Sequence, residues 1–164
     1  MIRAGALALA LAAPSPALAD LLIDLSIVQA CVDAAGPEQA APGCIGQAAN
    51  RCMEDSPQGH STVQMGACLD AELGWWDGLL NTEYRGLMAE LEASDADLPA
   101  HLAVQAGYLR DMQRAWIRLR DSACAFEASR WQGGTGASPA AIGCLLQRTA
   151  QHALFLRNKR EGQH

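Results

Sequence analysis

The chain has no Cys-x-x-Cys pair, and its four histidines, His60, His101, His152 and His164, have no zinc-like spacing to one another or to the cysteines. Those absences argue against a zinc site and against a Cys-x-x-Cys-His haem attachment. Strand-like alternation of useful length is also missing, which points away from any sheet. The glycine cluster Gly133–Gly136 lacks the Lys-Ser/Thr of a phosphate loop and follows no strand, so it is a turn. Glu72 and Asp77, the nearest thing to an acid/base pair, are five residues apart and lie far round a helix from each other. They are expected to be solvated or separately paired, and no catalytic motif is found. A basic balance is lacking too: 12 Lys and Arg stand against 18 Asp and Glu, for a formal charge of −6. Nucleic acid and anionic membrane are poor partners for such a chain.

Present instead is an N-terminal pattern of export. Arg3 precedes an apolar run from Ala4 to Ala13, then Pro14, Pro16 and the small-residue site Ala17-Leu18-Ala19. The run is too short to span a bilayer, and its order is that of a secretory signal peptide over residues 1–19, cleaved after Ala19. One domain over residues 20–164 would remain, and loss of Arg3 would take the charge from −6 to −7. No lipobox cysteine adjoins the cleavage site, so the expected product is soluble. All six cysteines lie beyond residue 19, and an even count in an exported chain reads as disulfides.

The rest reads as all-α. Leu21, Leu22, Leu25, Val28 and Val32 share a helix face that Gly36-Pro37 ends, and a short helix follows from about Gly43 to Asp55. Ser61 is placed as an N-cap, with Gln64 completing a capping box, for a long helix to about Ala93. Its seam is Met65, Leu69, Leu73, Trp76, Leu80, Tyr84, Leu87 and Leu91. Gly74, Gly78 and Gly86 lower its helicity and would admit a close backbone. Pro99 opens the next helix, which ends near Trp131, with Leu109, Met112, Trp116, Leu119, Ala123 and Phe126 facing inward. Trp116 is its largest expected core side chain, and the charges, Arg120 and Asp121 among them, fall mostly round the outside. Ser138 as N-cap and Pro139 at the first helical position start the last helix, with Ile142, Leu145, Leu146, Thr149, Ala153 and Leu156 inward. The expected architecture is three long antiparallel helices with shorter N-terminal helices packed on them.

Cys44 and Cys52 would be roughly 12 Å apart along a helix, too far to bridge. Cys31–Cys44, Cys52–Cys68 and Cys124–Cys144 each close across one chain reversal, and short loops close at lower entropic cost. A rival scheme of Cys31–Cys52 with Cys44–Cys68 also fits a helical hairpin.

Several blocks carry a resemblance. The first half is Cys52, Cys68-Leu69-Asp70-Ala71-Glu72, Trp76-Asp77, Leu80-Asn81 and Tyr84. The second is Gln113, Trp116, Arg120-Asp121, Cys124, the Gly133-Gly134-Thr135 turn, Cys144-Leu145 and Thr149. This pattern resembles the lysozyme-inhibitor LprI-like family of small exported bacterial helical domains, over about Cys52 to Leu156. The family's arginine three residues after the threonine is His152 here, and the segment holding Cys31 and Cys44 is additional to the family core. The resemblance implies a periplasmic or secreted domain with Cys52–Cys68 and Cys124–Cys144 bridges and no cofactor. It also implies a binding protein rather than an enzyme, with lysozyme as one partner. The alternative is an accessory protein that binds another envelope protein and inhibits nothing.

Arg120 and Asp121 are expected to pair with neighbouring helices. Contact with a partner is expected at the turn between the last two helices, from Arg130, Trp131, Gly133, Gly134 and Thr135. Trp131 is the tryptophan expected to be exposed, and the glycines would offer free N–H groups. The loop Ser56–Ser61, with His60, is the second choice.

Overall fold

A computed structural model of the chain describes residues 23–35 and 42–162, the side chain of Glu161 excepted. The leader read in residues 1–19, Leu21 and Leu22, and the Gly36-Pro37 break lie outside the described residues.

Among the described residues five α-helices form, and three disulfides tie the elements together. They are α1 (Ser26–Ala34), α2 (Gln47–Asp55), α3 (Thr62–Ala96), α4 (Gln105–Ser129) and α5 (Ala137–Glu161), and a single 3-10 turn, Pro42–Cys44, precedes α2. The three long helices run up, down and up. Asp95 meets the start of α4, and Gln113 meets His152, as antiparallel neighbours do. Glu83 and Glu90 of α3 both meet Arg160, near the end of α5, as parallel neighbours do.

Local chemistry accounts for the boundaries. Ser61 Oγ accepts from the Gln64 N–H at 3.2 Å, so Ser61 caps α3. The reciprocal half of the capping box is replaced, because the Gln64 amide turns 3.8 Å towards Cys68 Sγ. α4 begins later than Pro99 suggests. Pro99 closes one isolated turn onto Leu102 and Ala103, and the carboxylate of Asp95 then accepts from the N–H groups of Gln105 and Ala106. That carboxylate does the work of an N-cap from the preceding helix. α5 begins earlier than expected, because Gly136 is its N-cap and Ser138 makes no capping bond. Pro139 still sits in the first turn, where a missing N–H leaves no helical bond unmade.

The core gathers on α3 and α5. Trp76 is fully buried, among Val28, Leu80, Leu87, Leu146, Ala150, Ala153 and Leu156. Ala150 and Ala153 are small, which lets α5 lie close to α3. The glycines of α3 act differently from expectation. A side chain at Gly74 or Gly78 would meet nothing within 4 Å, whereas one at Gly86 would strike the guanidinium of Arg160. Gly86 therefore makes room for an ion bridge between helices rather than for a backbone. Arg160 reaches Glu83 at 2.8 Å and Glu90 at 3.0 Å.

The N-terminal hairpin docks through one carboxylate. Glu72 was expected in water or in a separate pair, but it is fully buried. Its oxygens accept from the Gly46 N–H at 2.7 Å, the Ala49 N–H at 2.7 Å and the Trp76 indole at 2.9 Å. Two of those donors are orphan amides at the start of α2, so α3 supplies the cap that α2 lacks. Cys31–Cys44 and Cys52–Cys68 staple the same region, and Cys124–Cys144 joins α4 to α5.

Candidate functional site

The α4–α5 turn is built by its two ends. Cys124 and Cys144 bring the helices to a Cα–Cα distance of 5.4 Å below it. Above them Gln132 and Gly133 take positive φ values of 49° and 82°, which reverse the chain. Trp131 folds back over Gly136, where a side chain would collide with the indole ring, yet the tryptophan stays 53% exposed. Gly134 was expected to offer a free amide, but its N–H donates to the Trp131 carbonyl at 2.8 Å. The exposed amides of Gly133 and Thr135 donate to no acceptor among the described residues. Arg130 pairs with Glu127 at 3.2 Å, so it also serves the helix end. The turn is therefore a stiff loop with an exposed indole and two unused backbone donors on exposed residues. The second-choice loop is held from below: a side chain at Gly59 would run into the Met53 carbonyl.

The other residues that carry the resemblance lie away from the turn, along the bundle. Trp116 is only partly buried, so it is not the largest core side chain; Trp76 is. One face of its indole stacks on His152, with centroids 4.1 Å apart and planes 9° from parallel, and the Arg120 guanidinium lies 5.0 Å from the ring centroid. Beyond His152 the column continues to Phe155 and to the ammonium of Lys159. Cations at both ends of an aromatic stack are favourably placed over ring faces. His152 Nε2 lies 2.8 Å from Gln113 Oε1, which satisfies both buried polar groups. Burial, and then the charge of Arg120, push the His152 imidazole down to about 4. It is therefore neutral across the ordinary range.

Arg120 does not pair with a neighbouring helix. It binds the carboxylate of the next residue, Asp121, at 2.8 Å. Its side chain instead borders a shallow cleft of about 350 Å³ with Asp70, Leu73, Gly74, Asp77 and Leu145. Asp77 is exposed and accepts from Asn81 at 2.9 Å. Tyr84 is half-buried against the core. The structure thus brings Asp77 and Arg120 to one cleft, sends Glu72 to the N-terminal hairpin, and leaves the turn at a separate end. Spacing had also placed Leu119 and Phe126 inward on α4, but they are 62% and 63% exposed. The inward positions are Ala106, Leu109, Gln113, Trp116, Arg120 and Cys124. Polar side chains among them mislead a count of apolar spacing alone.

A sequence model described as "Lysozyme inhibitor LprI" matches residues 52–156. The chain belongs to this family. An uncharacterised 17.7 kDa protein of the puhA 5′ region in Rhodobacter capsulatus is 29% identical to this chain over 160 residues, 95% of each chain. An uncharacterised protein of Rhizobium meliloti (strain 1021) is 28% identical over 140 residues, 84% of this chain and 92% of the other. No solved structure matches. LprI membership supports a non-enzymatic role. Among the described residues no group of His, Cys, Asp and Glu is arranged to hold a metal, and no helix is long and apolar enough to cross a membrane. The hairpin with Cys31 and Cys44 precedes the matched region, and the link from Glu72 to Gly46 and Ala49 ties it on.

Proposed function

We propose that this LprI protein is exported to the periplasm or beyond, binds another protein there, and has a lysozyme-type muramidase as its partner. The observation that carries the reading is the disulfide-held α4–α5 turn, with Trp131 exposed and the N–H groups of the exposed Gly133 and Thr135 bonded to no described acceptor. A glycosidase cleft of this kind holds two carboxylates. Backbone N–H groups on a stiff loop are suited to face them, and a loop already fixed at both ends loses little entropy on binding. The exposed indole is the sort of side chain that dominates such contacts. An acidic chain would also gain association rate towards a cationic lysozyme.

The test is lysis of a peptidoglycan suspension by c-type and g-type lysozymes. The protein should slow it, less so as salt is added. Thr135→Glu, which sets a new carboxylate before those of the cleft, should weaken inhibition by at least about tenfold without changing the melting temperature. No inhibition of either lysozyme at tens of micromolar would refute the muramidase reading.

A second reading has its own observation. The cleft that unites Asp77 and Arg120, both family-motif positions, lies away from the turn. An accessory protein that inhibits nothing would use that cleft, and Asp77→Ala would then impair capture of its envelope partner while Thr135→Glu would not.

A further inference from the structure

α4 carries two apolar faces, and only one of them is used. Tyr108, Met112, Ala115, Leu119, Ser122 and Phe126 follow steps of 4, 3, 4, 3 and 4 residues, the spacing of a coiled-coil seam. Met112 is half-buried at its edge. Ala115 and Ser122 are exposed, and Tyr108, Leu119 and Phe126 are 72%, 62% and 63% exposed. No other described element covers this line. From the structure we infer that it is the interface with a second copy of this chain, packed antiparallel about a two-fold axis that crosses the seam at the level of residue 117.

Three arguments select a second copy over other occupants. The first is symmetry. Reversing the helix about Ile117 sets Tyr108 opposite Phe126, Met112 opposite Ser122 and Ala115 opposite Leu119, so the seam is complementary to itself. Self-complementarity is the requirement of a two-fold interface. The second is size. Each reversed pair inside the seam sets a larger side chain against a smaller one, which lets two helices approach closely, and an aromatic pair closes each end. The third is area. The seam runs about 27 Å, and its three large side chains leave roughly 400 Å² of apolar surface open on each copy. That is more than single scattered residues leave. Together with the flanking positions it reaches the lower range of specific interfaces, about 1,200 Å² in total. An area of that size suits a dimer formed at micromolar concentration or above.

The geometry has one unfavourable contact, which is useful. Arg118, exposed beside the seam, comes near its own copy at the axis. Added salt should screen that repulsion and strengthen the dimer, the opposite of the salt effect expected for lysozyme binding. The two α4–α5 turns would lie at opposite ends of the dimer and stay free, so dimer formation and inhibition can succeed or fail separately.

Sedimentation equilibrium of the disulfide-intact chain from about 1 to 500 μM is the test. A monomer–dimer equilibrium is expected. Leu119→Arg should weaken it by at least about 100-fold with an unchanged melting temperature, because the side chain is exposed in the monomer. Register is tested with Met112→Cys and Ser122→Cys proteins. Under mild oxidation, dimers should cross-link when the two are mixed and not when either is alone. A monomer at 500 μM, a dimer indifferent to Leu119→Arg, or cross-linking of Met112→Cys with itself would each overturn the proposal. So would a monomer that floats with anionic phospholipid vesicles through the same residues, which would assign the stripe to a membrane surface.

Discussion

α3 and α4 are written in the same alphabet and do different things with it. On α3 the apolar residues fall on one seam, and its innermost positions, Trp76, Leu80, Leu87 and Leu91, are buried. On α4 two lines of side chains lie about a third of a turn apart. One contains Leu109, Gln113, Trp116, Arg120 and Cys124 and faces the bundle. The other contains Tyr108, Leu119 and Phe126 and faces out. A helix with one apolar stripe declares its inner face, whereas a helix with two leaves that choice to partners elsewhere in the chain. On α4 the partners are His152 for Gln113 and Trp116, and Cys144 for Cys124. They turn a mixed line inward and leave the more apolar one exposed.

The largest expected difference between the helices is in the cost of losing a tryptophan. Trp76→Ala should destabilise the protein by about 3–5 kcal/mol, since it empties the centre of the core and strips Glu72 of a donor. Trp116→Ala removes one layer of a partly exposed stack and should cost nearer about 2 kcal/mol. Urea denaturation of both variants would measure the gap. Equal losses would mean that α4 contributes to the core as α3 does.

A middle-sized effect should come from pH. The folded protein holds His152 neutral down to about 4, well below its ordinary value. As pH falls from about 6.5 through 4, the unfolded chain takes up a proton that the folded chain refuses. Stability tied to this group is therefore present above that window and lost within it, by about 1–3 kcal/mol. His152→Phe keeps an aromatic layer without the titration, so its stability should fall less over the same window. Parallel curves for the two proteins would show that the inner line of α4 does not depend on a neutral imidazole.

The smallest effect belongs to the outer line. Phe126→Ser should change the stability of dilute monomer by no more than about 0.5 kcal/mol. A loss of 2 kcal/mol or more in thermal or urea melts would place Phe126 in the monomer's own core and erase the contrast with α3.

Much of the architecture was legible because punctuation and period agree on it. Ser61, the glycines near residue 133 and the regular seam of α3 each point to the element observed. The cysteines sit where chain reversals bring the helix ends together. The mistakes share a cause. Glu72, Gln113 and His152 occupy inner positions, each satisfied by a partner remote in sequence, while Arg120 lies over the Trp116 ring and pairs with the adjacent Asp121. Apolar spacing cannot register a buried polar group whose partner it does not know. Asp95 is another case, because its carboxylate caps α4 from ten residues upstream and displaces the start expected at Pro99. The α4–α5 turn was legible in outline. The use of the Gly134 amide within it was not, since that depends on the backbone dihedrals at Gln132 and Gly133.

The bond between Glu72 and the Trp76 indole also makes the protein its own optical probe. Trp76 shares a carboxylate with the first amides of α2, so its emission should report whether the N-terminal hairpin is seated. Trp131, half in water on the α4–α5 turn and with no bond to Glu72, should emit to the red and change less in that event. A blue component that changes before helicity is lost would mark undocking of the segment that precedes the family match. Loss of both together would mark melting of the whole bundle. The hairpin and the bundle could then be followed separately in one cuvette, with no label attached.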